Sequence, residues 1–434
     1  MQFKSLAKYI IPVVGLLILN FIYFYPALKG MVLEQDDIML GVAKGKEIRD
    51  YRETHDDDPL WTQAMFSGMP TFQIATDYPN NWLSEIQKTI AFLGGKTSSI
   101  YIIFSLMLGF YLLLVGLKVN PWLAAVGGIA FAFSAFFIIS YGAGHNAKVR
   151  TAAYMAPVVL GVLLAFRGKY LAGFAITALS LGLNINSNHF QITYYLALLL
   201  LVIAMVEFIF SIKNKQQSQF WKAAGTLIIA ALIGIGPNIS KLWTTYEYTQ
   251  ETMRGGSSEL TAKKESEGGL SFDYAMNWSY GISETFNLFI ADFTGGGMAQ
   301  DYEGTEIYDQ YHRNIVGSLT SRGTPRAQAE RQANQYLGSM FYWGEQSLVN
   351  GGYYVGAVVF FLFVLGFFVV KGRIKWWVAG ATLLAFLMAW GKHFRTPIED
   401  ASIAVLSLDT RERTDLLRGG VHGRYVETGH IVFA

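Results

Sequence analysis

The sequence contains no cysteine, so disulfides, thiolate metal ligands and a thiol nucleophile are excluded from its chemistry. Charge is scarce as well: only 15% of the 434 residues are Asp, Glu, Lys or Arg, and the formal net charge is +2. No Lys/Arg run of the kind that tracks phosphates is present, which argues against a nucleic acid partner. Also missing is a small-x-small cleavage site after the first apolar run, where Tyr23, Phe24, Tyr25 and Pro26 stand instead. Lys4 and Lys8 followed by the run from Tyr9 to Tyr25 therefore read as an uncleaved first span.

What is abundant is apolar. Hydrophobic residues make up 52% of the chain and mean hydropathy is +0.30, too apolar for an ordinary soluble enzyme of this length. A bilayer core of roughly 30 Å takes about 20 apolar residues per helix. Runs that meet or approach this length cover 9–28, 98–117, 121–141, 152–166, 170–187, 190–212, 223–240, 353–370 and 376–391. They predict an all-α polytopic membrane protein with about nine transmembrane helices. Placing the amino terminus in the cytoplasm puts Lys118, Arg167 with Lys169, Lys213 with Lys215 and Lys222, and Lys371 with Arg373 and Lys375 on that same side, as the positive-inside rule requires. Two large loops, 29–97 and 241–352, then lie outside the cytoplasm. One short outer loop is basic against the rule: Gly144-His145-Asn146-Ala147-Lys148-Val149-Arg150.

The first outer loop reads as helical from about Ile38 to Thr54 and turns at Asp56-Asp57-Asp58-Pro59. The second mixes glycine clusters with Trp278, Tyr280 and Phe286, a composition that folds over the membrane face, and its polar stretch near 303–335 suits a surface helix or a lid. From His393 onward the pattern alternates like β-strands joined by turns, and it resembles a fragment of a β-propeller blade. A single blade cannot bury its own faces. Residues 393–434 therefore read as an atypical tail, truncated or foreign, beside a transmembrane domain over 1–392.

Several polar groups could carry chemistry. Asp36 and Asp37 follow the first span closely; one could act as a general base toward a hydroxyl while the other assists, or both belong to a solvated acidic loop. The consecutive carboxylates Asp56, Asp57 and Asp58 suit a solvated turn better than a metal site, which needs converging ligands. His145, Lys148 and Arg150 could hold a phosphate on the outer side, or contact headgroups generically. Asn184, Asn186, Asn188, His189, Gln191 and Tyr194 gather at one helix junction, where polar groups either line a cavity or bond helix to helix. Tyr246, Glu247, Tyr248, Glu251, Arg254 and the stretch from Trp278 to Glu284 combine aromatics with carboxylates, which suits sugar rings and also a membrane-interface belt.

Taken together, six ordered blocks resemble the YfhO family of bacterial membrane proteins, of the Bacteroidetes type. They are Leu33-Glu34-Gln35-Asp36-Asp37-Ile38; Pro59-Leu60-Trp61 with Met65-Phe66-Ser67-Gly68-Met69-Pro70; the Gly144 to Arg150 loop; Asn188-His189-Phe190-Gln191-Ile192-Thr193-Tyr194-Tyr195; Leu242-Trp243-Thr244-Thr245-Tyr246-Glu247-Tyr248; and Arg254-Gly255-Gly256. The resemblance covers roughly the first 390 residues. It implies a GT-C type glycosyltransferase architecture in the bacterial inner membrane. A loop Asp would be catalytic, a polyprenyl-phosphate sugar would be the donor, and a cell-envelope glycan or lipid would be the acceptor. Asp37 aligns with the family's loop carboxylate, Asp36 assists, and His145, Lys148 and Arg150 hold the donor phosphate. His189, Gln191, Tyr194, Glu247 and Arg254 would complete the substrate contacts. No cofactor is fixed, and a divalent metal is left open. Two departures stand out: Ala291-Asp292 occupies a position where Pro-Asn is expected, and family members continue past the ninth span with further helices and an outer domain. The rival classes are a lipid or glycan transporter or flippase, and a non-catalytic envelope assembly factor.

Overall fold

The computed structural model describes residues 2–74, 81–92, 98–252, 272–297, 304–340, 342–346 and 352–393. These residues are mostly helical, as backbone in lipid must be when every N–H and C=O needs an internal partner. The chain opens with α1 (Gln2–Tyr23), α2 (Tyr25–Leu28), α3 (Asp36–Lys44) and α4 (Lys46–Thr54). A two-stranded antiparallel hairpin of β1 (Trp61–Thr62) and β2 (Met69–Pro70) follows, then α5 (Trp82–Phe92). The apolar bundle comprises α6 (Ser98–Gly116), α7 (Pro121–Ala132), α8 (Ala135–Gly142), α9 (Asn146–Ala153), α10 (Met155–Phe166), α11 (Tyr170–Asn186), α12 (Phe190–Lys213), α13 (Gln217–Ile235) and α14 (Ile239–Gln250). After these come α15 (Phe272–Ala275), the paired helices α16 (Glu306–Ser321) and α17 (Arg326–Met340), and the apolar helices α18 (Ala357–Val369) and α19 (Arg373–Trp390).

Two apolar cores organise the bundle. In the first, α6 buries Ile102, Ile103, Leu106 and Met107 against Leu16 of α1, Ala124 and Ala132 of α7, and Val149 and Ala152 of α9. In the second, α10 contributes Val158, Val159, Val162 and Leu163, which pack with Leu196 and Ile203 of α12, Ala223 of α13 and Trp377 of α19. Lipid offers no hydrophobic drive between helices, so close backbone approach matters, and small residues supply it. A Cβ on Gly234 would stand 2.8 Å from the Ala178 carbonyl oxygen and 3.1 Å from the Gly182 nitrogen. The outward surface is apolar in turn: on α18, Val358 is 71% exposed, Phe361 64% and Phe368 80%. A water-facing protein rarely presents such a continuous patch, whereas a bilayer satisfies it.

Each of the nine apolar runs falls on helix, but they do not make nine equal spans. Among the described residues four helices are long and apolar enough to cross a membrane: Leu6–Tyr23, Asn146–Phe166, Phe190–Lys213 and Gln217–Gln250. A fifth arises if α7 and α8 count together, bent by 47° where they meet. The helices Ile100–Gly116, Tyr170–Asn186 and Ala357–Val369 are apolar but shorter, and at 1.5 Å per residue they fall short of a hydrocarbon core of roughly 30 Å. The run at 121–141 breaks after Ala132, and the freed Ala135 amide donates to the Tyr354 carbonyl at 3.2 Å while Phe136 meets the Tyr353 ring edge-on at 5.3 Å.

The ends of the bundle are chemically distinct. At one, Arg167 Nη1 donates to Gly116 O at 2.9 Å, Gln219 Nε2 donates to Phe166 O at 3.0 Å, and Arg373 pairs with Glu207. The basic loops that the Lys/Arg pattern groups on one side thus come together. At the other end, Asn238 Nδ2 donates to Gly182 O at 3.0 Å, and Asn81 Nδ2 donates to both Asn186 Oδ1 and Asn238 Oδ1 at 3.1 Å. The helix expected over Ile38 to Thr54 is two helices divided at Gly45, α5 is an addition within the first loop, and the 303–335 region forms the α16–α17 hairpin. Residues 394–434 lie outside the described residues, and with them nearly all of the tail.

The glycine contacts make a paired prediction for α13. Gly234→Ala places a methyl group on two backbone atoms and lowers stability by about 1–3 kcal/mol. Gly225→Ala meets nothing within 4 Å and changes stability by less than about 1 kcal/mol, in the stabilising direction. Denaturant titration of the two variants in the same detergent checks both signs.

Candidate functional site

The segment after α2 is extended as it reaches Gln35, whose backbone (φ −133°, ψ 106°) introduces α3. The Gln35 side chain is 6% exposed and forms a reciprocal amide pair with Asn146, the first residue of α9. Gln35 Nε2 donates to Asn146 Oδ1 at 3.3 Å and Asn146 Nδ2 donates to Gln35 Oε1 at 3.1 Å, while Gln35 Nε2 also donates to the Tyr141 carbonyl. Buried amides must find partners, and here each serves the other. The intervening turn needs a glycine. Gly144 has φ +91°, and a Cβ there would stand 3.0 Å from Asp37 Cβ and 3.3 Å from Gln35 Cβ. Two segments more than a hundred residues apart in sequence are thereby laid against each other.

That contact sets the site. Asp37 Oδ2 is 3.0 Å from His145 Nε2, and His145 Nδ1 is 3.0 Å from Lys148 Nζ. An ammonium can only donate, so Nδ1 accepts and Nε2 carries the proton toward Asp37. A second proton on the ring would point at Lys148. Burial and the Lys148 charge accordingly hold His145 below its ordinary value, against an upward pull from Asp37. Asp37 lies in the first turn of α3, where the helix dipole favours a negative charge. The side chains of Asp37 and His145 are 52% and 42% exposed, so both are open to a substrate.

His189 introduces α12, and burial, then the charges of Lys148 and His145, hold it low as well. Its Nδ1 is buried with no hydrogen-bond partner among the described residues, as is Nε of Arg150. Arg150 lies close enough to Lys241 for the two cations to repel, and Lys241 Nζ donates to Asn186 O at 3.3 Å. Asp37, His145 and Lys148 thus form a connected chain with His189 near it, and Arg150 and Lys241 form a second pair of cations.

The other expected residues that are described make no bond to the Asp37–His145–Lys148 chain. Asp36 is exposed and has no partner among the described residues. Gln191 Nε2 donates to Tyr195 Oη at 2.7 Å on the exposed side of α12, and Tyr194 is 57% exposed with its ring 6.0 Å from Tyr195. Glu247 accepts from Trp243 Nε1 at 2.8 Å within α14, and Arg254 lies outside the described residues. Asn184 and Asn186 are buried in helix-to-helix bonding: Asn184 Nδ2 donates to Thr151 O and Asn186 Nδ2 to Gln87 Oε1, each at 2.8 Å. In the second loop Glu284 is 1% exposed and saturated by the Gly281 amide at 2.6 Å, the Tyr342 hydroxyl and Gln346 Nε2 at 3.3 Å. These bonds make it a structural hub of the second loop. Burial pushes the neighbouring Tyr280 hydroxyl up to about 12.

The described residues do not gather a set of metal ligands. Among the described residues no three His, Asp or Glu side chains converge, and a dication beside His145 would meet the Lys148 ammonium as a like charge. Compared with known proteins, the chain matches no protein-family model, no curated protein and no solved structure.

Two predictions follow from this geometry. Because His145 and His189 are held below their ordinary 6.5 in the folded state, the unfolded chain binds more protons just below that pH, so stability falls as pH drops beneath about 6.5 and is level above it. Thermal unfolding against pH in detergent reads this, and His145→Gln lessens the fall, leaving the part due to His189. Separately, Gly144→Val forces a β-branched residue to φ +91° against Asp37 and lowers stability by about 1–3 kcal/mol in denaturant titration.

Proposed function

We propose that the chain is a glycosyltransferase of the bacterial inner membrane, with its amino terminus in the cytoplasm and its site on the opposite face. It would move a sugar from a polyprenyl-phosphate donor to a cell-envelope glycan or lipid acceptor, with inversion. The observation that carries this reading is the Asp37–His145–Lys148 chain, a carboxylate oriented on one oxygen and linked through an imidazole to an ammonium.

In this mechanism Asp37 takes the proton of an acceptor hydroxyl as that oxygen bonds to C1 of the sugar. The bond from C1 to the phosphate oxygen breaks, and its electron pair leaves on the polyprenyl phosphate. Lys148 and Arg150, with His189 beside them, stabilise the charge that builds there, so a general acid is not required. His145 is a positioning residue: its Nε2–H occupies Asp37 Oδ2 and leaves Oδ1 for the acceptor. Support for a lipid donor comes from a cavity of about 510 Å³ between α12 and α19, walled by Leu198, Leu199, Leu384 and Met388. Tyr195, which binds Gln191 in the first turn of α12, also lines it.

The second reading is transport of a lipid or glycan without bond cleavage, and the 47° break between α7 and α8 favours it, since discontinuous helices are a device of transporters. Asp37→Asn separates the two. For the transferase, envelope glycans examined by mass spectrometry lose the transferred sugar by about 10²–10⁴-fold while membrane insertion is normal, and Asp36→Asn retains most of the activity. An unchanged glycan profile in Asp37→Asn, with lipid movement abolished, rejects the transferase in favour of transport.

A further inference from the structure

At the end of the bundle opposite Asp37, α10, α12 and the turn between α18 and α19 enclose a cavity of about 250 Å³. Arg167, Glu207, Lys371, Arg373, Leu163 and Trp377 line it. Three cations face one carboxylate, a local excess of two positive charges. Glu207 is only 5% exposed and is ion-paired with Arg373, which neutralises one cation. Arg167 commits Nη1 to the Gly116 carbonyl at 2.9 Å and keeps its other donors, while Lys371 has no ion-pair partner among the described residues.

Two further features ask for an acceptor. Trp377 is 9% exposed, and its buried indole Nε1–H has no hydrogen-bond partner among the described residues. Buried donors are rarely left so. The amino terminus of the 18-residue α19 also opens onto the cavity through Gly372, which turns the chain at φ +91°, and its unsatisfied amides favour an anion. A carboxylate deep in an apolar helix such as α12 is costly unless it serves a site, and Glu207 here fixes the Arg373 guanidinium at the cavity wall.

We propose that this cavity binds the phosphodiester of an anionic phospholipid. The shared chemistry is a phosphate oxyanion, and the lipid is the favoured source because an apolar cavity of about 190 Å³ adjoins it. That cavity is lined by Leu362, Phe363, Phe367 and Val378 and shares Ile374 with the basic one, so an acyl chain can follow from the headgroup. A zwitterionic headgroup would bring its own cation into a site already in positive excess. The site is independent of the sugar-transfer chemistry and would be present in a transporter equally.

The test titrates the delipidated full chain in neutral detergent with phosphatidylglycerol or phosphatidylcholine and reads retention by native mass spectrometry. Phosphatidylglycerol is retained in preference, and excess inorganic phosphate does not displace it. The double variant Arg167→Gln with Lys371→Gln leaves the Glu207–Arg373 pair intact and weakens retention about 25-fold, about fivefold per cation. Glu207→Gln releases Arg373 and strengthens retention about fivefold on the same basis. Equal retention of the two lipids, full displacement by inorganic phosphate, or an unaltered affinity in the folded double variant would each overturn the assignment.

Discussion

A reciprocal pair of side-chain amides fixes the start of α3 on the bundle. Gln35 and Asn146 each donate to and accept from the other in a buried setting, where a broken partnership would leave a polar group stranded at about 1–3 kcal/mol. The position of Asp37 follows from that clasp. It places the α3 amino terminus over the turn at Gly144, and so sets the carboxylate of Asp37 against His145. Without it the start of α3, and with it Asp37, would be held against the 144–148 turn by fewer bonds.

The polar groups at that end divide by how fully they are used. Asn81, Asn186 and Asn238 satisfy one another and the backbone around them, and they stiffen the junction of α5, α11 and α13. Such groups have little left to offer a substrate. His189 and Arg150 keep unused donors or acceptors a short distance away, and Asp37 is half exposed. A rigid amide scaffold thus carries a smaller set of groups with free capacity, which is the division of labour expected of a binding site.

Helicity and the apolar runs were legible because lipid imposes a simple rule on backbone, and run length reports it. How many helices cross was less legible, since α11 and α18 are apolar but short and the 121–141 run conceals a bend. The 145–150 loop was set apart by its charge, which was assigned to a donor phosphate, and the direct Asp37–His145 contact at 3.0 Å is a finding of the structure. The amide clasp left no trace, because nothing in the composition around Gln35 singles out Asn146 from the many other asparagines. Neither did the role of Glu284, which reads as an acidic group among aromatics and is in fact saturated by Gly281, Tyr342 and Gln346. Gln191, Tyr194 and Glu247 share sequence blocks with the site, yet the helix periodicity turns them toward their own neighbours.

The break between α7 and α8 bears on how the protein is made. The Ala135 amide finds its acceptor at Tyr354, a residue that leaves the ribosome roughly 220 positions later, or about 10–40 s at ordinary elongation rates. During that interval the Ala135 amide lacks the acceptor that it has in the finished fold. The kink between α7 and α8 is in this way closed by a segment distant from it in sequence and made much later.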